Sequence, residues 1–240
     1  MVPEVVWRVY DIPSTQEVVY MNSSICLVEF EGVTSYLDED ITLFESQTLL
    51  PTVLADHVVG PFVRTPTDGE ATLDVEYAIA VSQNASTWYW TTNGWIYDWT
   101  SEFLSVSQNP LVVSISWGWS ETAQCDVGAC NGITSEEYIQ SCNDQFIEIN
   151  ARGVTILSAS GDFGAPGAND IQCNNHQAPI SSIFPGASPW VLSIGMVSVS
   201  LSLFLYLYLY LYIYLYLYLH LYPSLSLSLS LSLSLSLSLS

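Results

Sequence analysis

The 240-residue chain carries 24 Asp and Glu against three arginines (Arg8, Arg64 and Arg152) and no lysine, a formal net charge of −21. That balance excludes a Walker P-loop, a Schiff-base lysine and a basic track for nucleic acid, and it argues against docking on an anionic membrane. Half of the residues are apolar, enough for a core, but every formally charged residue precedes Val197.

In chain order, Ser24–Phe30 is rich in β-branched and aromatic residues and predicts a buried strand. Asp38–Leu50 places Ile41, Phe44 and Leu49 at helical spacing behind an acidic first turn. Glu70–Val81 predicts a second helix, with Thr67 and Glu70 in the spacing of a capping box, and Ser86–Trp90 a short strand. A third helix over Tyr97–Val106 leads to a strand over Leu111–Trp117. The helix Glu136–Arg152 is the best formed: Thr134 and Glu137 make a capping box, Ile139, Phe146 and Ile149 line one face, and Gly153 sits at the C-cap. Val154–Ser160, built on Val154, Ile156 and Leu157, predicts a buried strand, and Trp190–Ile194 a further one. Strands alternating with helices imply an α/β fold with a mostly parallel, doubly wound sheet covered on both faces. Ligands of such sheets sit beyond the carboxyl ends of the strands, here after Ile115 and after Leu157.

The chain divides at about residue 196, into a domain over 1–196 and a low-complexity tail over 197–240. The tail alternates Leu-Tyr from Leu205 to Tyr222 and then Leu-Ser to Ser240, broken at Pro223. One unbroken strand of that length fits no compact domain. Phe204–Tyr222 approaches the length of a bilayer span, yet about half of it is Tyr and no Lys or Arg marks a cytoplasmic side. The reading adopted is a translated repeat or frame error, with a membrane or adhesive segment as the alternative; expressed, the tail should aggregate.

Met1-Val2-Pro3-Glu4 shows no signal peptide. Five cysteines (Cys26, Cys125, Cys130, Cys142 and Cys173) leave the pairing open, although Cys125 and Cys130 could close a small loop or stay as two thiols. Asn22 and Asn84 open glycosylation triplets that matter only in a secreted chain. His57, His176 and His220 have no metal-ligand spacing; His57 could serve as a base but reads as a loop histidine.

Three segments could carry chemistry. Glu70 and Asp74 lie one helical turn apart, where like charges repel unless something uses them; taken alone, capping and first-turn acidity are the stronger explanation. The run Ser158-Ala159-Ser160-Gly161-Asp162-Phe163-Gly164 is a glycine-rich turn that puts Asp162 at the carboxyl edge of the sheet, as catalyst or as turn former. Ser116-Trp117-Gly118 ends a strand and offers backbone and apolar surface to an extended peptide, or is simply a buried aromatic strand end.

Taken in order, the segments EATLDVEY, STW, VSISWG, ARGVTILSASGDFG and FPGASPWVLSIG, with the opening VPEVVWRVYDIP, closely resemble the sedolisin family of serine-carboxyl peptidases over residues 2–195. The resemblance implies a subtilisin-like fold and acid-acting proteolysis of peptide or protein substrates, including tripeptide release, in a secreted or lysosome-like acidic compartment. It implies Glu70 as the general base, Asp74 as its orienting, proton-sharing partner, Asp162 as the oxyanion donor and Ser116-Trp117-Gly118 as the substrate-binding strand. A base must be ionised and an oxyanion donor protonated, so the set works in acid or with Asp162 buried. The sequence departs from the family after Gly195, where the family continues into a Gly-Thr-Ser nucleophile and an aspartate-lined calcium site, and Phe163 replaces the usual Ser. The expectation is therefore a truncated, inactive peptidase fragment with no metal or cofactor of its own, leaving apolar faces and strand edges open. Two alternatives stand beside it: a non-catalytic peptide-binding protein using the Trp117 edge, and a protein anchored in a membrane by 204–222.

Overall fold

In the computed structural model, residues 2–12, 23–30, 32, 35–64, 68–165, 167 and 180–195 are described. The tail from 197 with its 204–222 segment, Asn22, Thr67, Cys173, His176 and His220 lie outside the described residues. Six strands form one parallel sheet: β1 (Ser24–Glu29), β2 (His57–Val59), β3 (Ser86–Thr91), β4 (Val112–Ile115), β6 (Thr155–Ala159) and β8 (Leu192–Ile194), in the order β2-β3-β1-β4-β6-β8. A two-stranded antiparallel ribbon pairs β5 (Trp119–Ser120) with β7 (Ile183–Phe184).

Alternation along the strands assigns the two faces. Cys26, Val28, Val113, Ile115 and Ile156 point into a core with Trp99 and Phe103 of α4 (Ile96–Ser105) and Phe146 and Ile149 of α5 (Ser135–Ala151). Leu27 and Tyr89 face the other way, onto Ile41 of α2 (Asp38–Thr48) and Ala71, Val75 and Ile79 of α3 (Gly69–Val81). The chain thus builds the expected α/β sheet with helices on both sides. A short helix α1 (Pro3–Val9), with Pro3 at its start where the missing N–H costs nothing, packs on α3.

The expected elements appear with ends shifted by a few residues. α2 stops at Thr48 because Leu49 turns left-handed, with φ 59°. The α5 capping box forms as expected: Glu137 accepts from the Thr134 backbone at 2.8 Å and donates its own N–H to Thr134 Oγ1 at 3.2 Å. The cap of α3 is corrected. Asp68, not Thr67, is the N-cap, and its carboxylate accepts from the N–H groups of Glu70 at 3.0 Å and Ala71 at 3.3 Å. The Glu70 side chain is thereby free of the capping role that its spacing suggested. Asp68→Ala should cost about 1 kcal/mol, read as a lower urea midpoint; a loss from Thr67→Ala with none from Asp68→Ala would place the cap elsewhere.

β8 closes one edge of the sheet with every residue exposed, Leu192 and Ile194 included. Among the described residues no helix is long and apolar enough to cross a membrane. Cys125 and Cys130 are disulfide-bonded, while Cys26 and Cys142 are buried free thiols. Asn84 is exposed in the turn between α3 and β3. His57 is corrected from a loop to the start of an edge strand, its ring 4.0 Å from that of Trp88.

Candidate functional site

Acidic side chains gather where β1, β4 and β6 end. α3 lies against β1 and β3 and brings Glu70 and Asp74 to that end of the sheet. Beyond β4 the backbone continues extended through Ser116-Trp117-Gly118, and Ser116 donates to Asp74 Oδ2 at 2.7 Å. Beyond β6 the chain turns at Gly161 and presents Asp162. Asp74, partly buried, has its pKa raised by that burial, against the opposing pull of the Ser116 hydrogen bond. The Glu70 carboxyl is also raised, by desolvation first and then by the negative charges of Asp74, Asp162 and Asp68. Of the three acids expected from the sequence, Glu70 therefore lies within electrostatic reach of both Asp74 and Asp162. Asp162 itself is exposed, so of the two conditions that the sequence offered, an acid medium or a buried Asp162, the second is not met.

A fourth acid was missed. Glu29, the last residue of β1, is fully buried, and its Oε2 accepts from Trp117 Nε1 at 2.7 Å. Among the described residues its Oε1 has no partner. Burial pushes its pKa to about 8, the Trp117 hydrogen bond opposes that rise, and Asp74, Glu70 and Asp68 add to it. The available signal was an acid at a core position of an otherwise apolar strand, where ionised side chains rarely sit without a purpose.

The indole of Trp117 also packs 6.2 Å from the Phe30 ring, so it turns inward and leaves the backbone for any contact with a peptide. The open surface lies one step further along the chain. A cavity of about 440 Å³ is lined by Ser116, Gly118, Trp119, Asp162, Phe163 and Ile183, together with the 3-10 turn Glu121–Asp126. Buried Gln124 fixes that turn, donating to the carbonyls of Trp119 at 2.9 Å and Ser120 at 3.0 Å and accepting from Trp95 Nε1 at 2.9 Å. A carboxylate pair, an exposed third acid and an open cavity at strand ends suit proton transfer to and from a bound, polarised carbonyl group. Among the described residues no group of three or more His, Cys, Asp or Glu side chains is placed to hold a metal ion.

No family model matches the chain. It is 48% identical to physarolisin of Physarum polycephalum over 196 residues, covering 81% of this chain and 34% of that protein. It is 32% identical to tripeptidyl-peptidase 1 of Rattus norvegicus over 185 residues, 74% of this chain and 30% of that one. The fold matches that of Pseudomonas sedolisin, a serine-carboxyl proteinase solved with two molecules of pseudo-iodotyrostatin, at a TM-score of 0.50 and 17% identity, over 77% of this chain and 52% of the sedolisin chain. The chain thus spans about a third of the length of the curated relatives it matches. Over the part that aligns with them, this protein belongs to the sedolisin family of peptidases.

Proposed function

We propose that the chain supplies the general base, its carboxyl partner and the oxyanion donor of an acid-acting serine-carboxyl peptidase. Glu70, with its proton affinity raised by burial and three neighbouring negative charges, is the base that takes a hydroxyl proton. Asp74, held by Ser116, fixes the field around Glu70, and the two titrate as a coupled pair. Asp162, at the mouth of the cavity, donates a hydrogen bond to the developing oxyanion. Donation needs a proton on Asp162 at the moment the oxyanion forms, a demand that acid favours, so the reading places the reaction in an acidic, secreted or lysosome-like compartment. Buried Glu29, protonated well above the ordinary carboxyl range, is a positioning residue that holds Trp117 beside the Ser116-Gly118 backbone where a peptide would run. The observation that carries this reading is that Glu70 feels the charges of both Asp74 and Asp162, while Asp74 holds Ser116 and Asp162 lines the same cavity as Ser116.

The 240 residues contain no Gly-Thr-Ser sequence. We propose that the chain by itself forms no acyl-enzyme and turns over no peptide. Two assays test this. The purified chain should release no tripeptide from a fluorogenic substrate at acid pH, and turnover that depends on a serine would refute the inactivity. Residues 1–195 joined to the corresponding remainder of physarolisin should cleave at acid pH, with a loss of at least about 100-fold on Glu70→Ala or Asp162→Ala. Turnover that ignores both changes would remove the proposed roles.

A further inference from the structure

The cavity beside Asp162 holds groups for which the proposed chemistry has no use. Trp119 and Phe163 line it while remaining 47% and 45% exposed, and Asp126 lines it from the end of the 3-10 turn. Asp126 is exposed and takes part in neither proton transfer nor oxyanion binding. Each arginine is engaged elsewhere, Arg8 with Glu4 at 2.6 Å, Arg64 with Asp38, and Arg152 with Glu148 at 3.1 Å. Among the described residues, therefore, Asp126 has no ion-pair partner, and no cation lines the cavity.

The cavity wall is set by a close approach. A Cβ at Gly118 would come 2.5 Å from Ile183 Cγ2, and one at Gly161, where φ is +93°, 2.8 Å from Ile183 Cγ1. The two glycines admit Ile183 between the ends of β4 and β6, where it offers an apolar flank to a methylene stem. Two half-wet aromatic rings, an apolar flank and an unneutralised carboxylate suit a planar, weakly hydrated cation. A guanidinium stacks on aromatic faces, and its N–H fork matches a carboxylate. A neutral aromatic side chain would use the rings but strip water from Asp126 without compensation.

We infer that this cavity takes an arginyl side chain of a bound peptide, selected by Asp126 and stacked on Trp119 or Phe163. The inference rests on the peptidase reading for the cavity being a substrate site, and it adds the class of side chain. The test is fluorescence anisotropy with the full chain at pH 6 and low salt, using labelled tripeptides Gly-Ala-Arg, Gly-Ala-citrulline and Gly-Ala-Phe. Citrulline keeps the shape of arginine without its charge. The arginyl peptide should bind about five- to tenfold more tightly than the citrulline peptide, and Asp126→Asn, an exposed and structurally undemanding change, should close that gap. Equal affinity for arginine and citrulline, or a gap that survives Asp126→Asn, would overturn the inference. If the phenylalanyl peptide binds most tightly and Asp126→Asn changes nothing, the inference fails while the peptidase reading stands. Binding of none of the three would count against both.

Discussion

Raising the pH from about 4.5 to about 8 should lower the stability of the folded chain by on the order of 4 kcal/mol through Glu29 alone. Burial raises this carboxyl from 4.5 to about 8, so over that interval the folded protein keeps a proton that the unfolded chain has released. The contribution is complete below about pH 4.5, declines by about 1.4 kcal/mol per pH unit as the pH climbs, and is gone above about pH 8. Urea midpoints at pH 4.5, 6 and 8 measure it. Glu29→Gln should flatten most of the slope, since a glutamine carbonyl still accepts from Trp117 but does not titrate. Glu70, Asp74, Glu45 and Glu76 are raised as well and leave a smaller residual slope of the same sign. A midpoint that rises with pH, or a slope untouched by Glu29→Gln, would contradict this account.

Phe30→Ala is expected to cost about 3–5 kcal/mol. Phe30 is fully buried, and its ring centroid lies 5.0 Å from that of Trp95, 6.4 Å from Trp99 and 6.2 Å from Trp117. The large rings around it cannot all collapse into the vacated space, so the loss combines transfer and cavity contributions. Because Trp117 leans on this ring while donating to Glu29, the same change should loosen the strand end at the site. Denaturant unfolding followed by near-UV circular dichroism reads both effects, and Phe30→Leu, which keeps most of the volume, should lose less than half as much. A penalty under about 1 kcal/mol for the alanine variant would show that the aromatic cluster repacks freely.

Long periodic segments declared themselves in the sequence. α5 has a capping box, a regular apolar face and a glycine after its end, and local preferences there agree with the tertiary structure. β2 stayed hidden because its three residues are exposed or half-exposed on an edge and show no alternation. The β5–β7 ribbon joins pairs of residues far apart in the chain, and nothing local announces such a partner. At the start of α3, Thr67 and Asp68 compete for one cap, and spacing to Glu70 pointed to the wrong neighbour. Around the cavity, the pattern placed Glu70 and Asp74 one turn apart on a single helix and Ser116 and Asp162 just beyond strand ends, where the structure also has them. Glu29 and the groups around Asp126 were not legible, because their environment comes from strands and turns that only the folded sheet places side by side.

β1 occupies the middle of the sheet, with Ile25 paired to Thr87 on one side and to Val112 on the other. Neither neighbour is close in sequence, so the first strand must wait, unflanked, while two long loops close around it, and each closure costs entropy before any pairing rewards it. Acquisition of the native state should accordingly be slow relative to the first turns of α5, whose capping box and backbone hydrogen bonds are local. During that wait the apolar run Cys26-Leu27-Val28 is open to pairing with another molecule, which makes protein concentration during refolding, more than temperature, the variable that decides the yield.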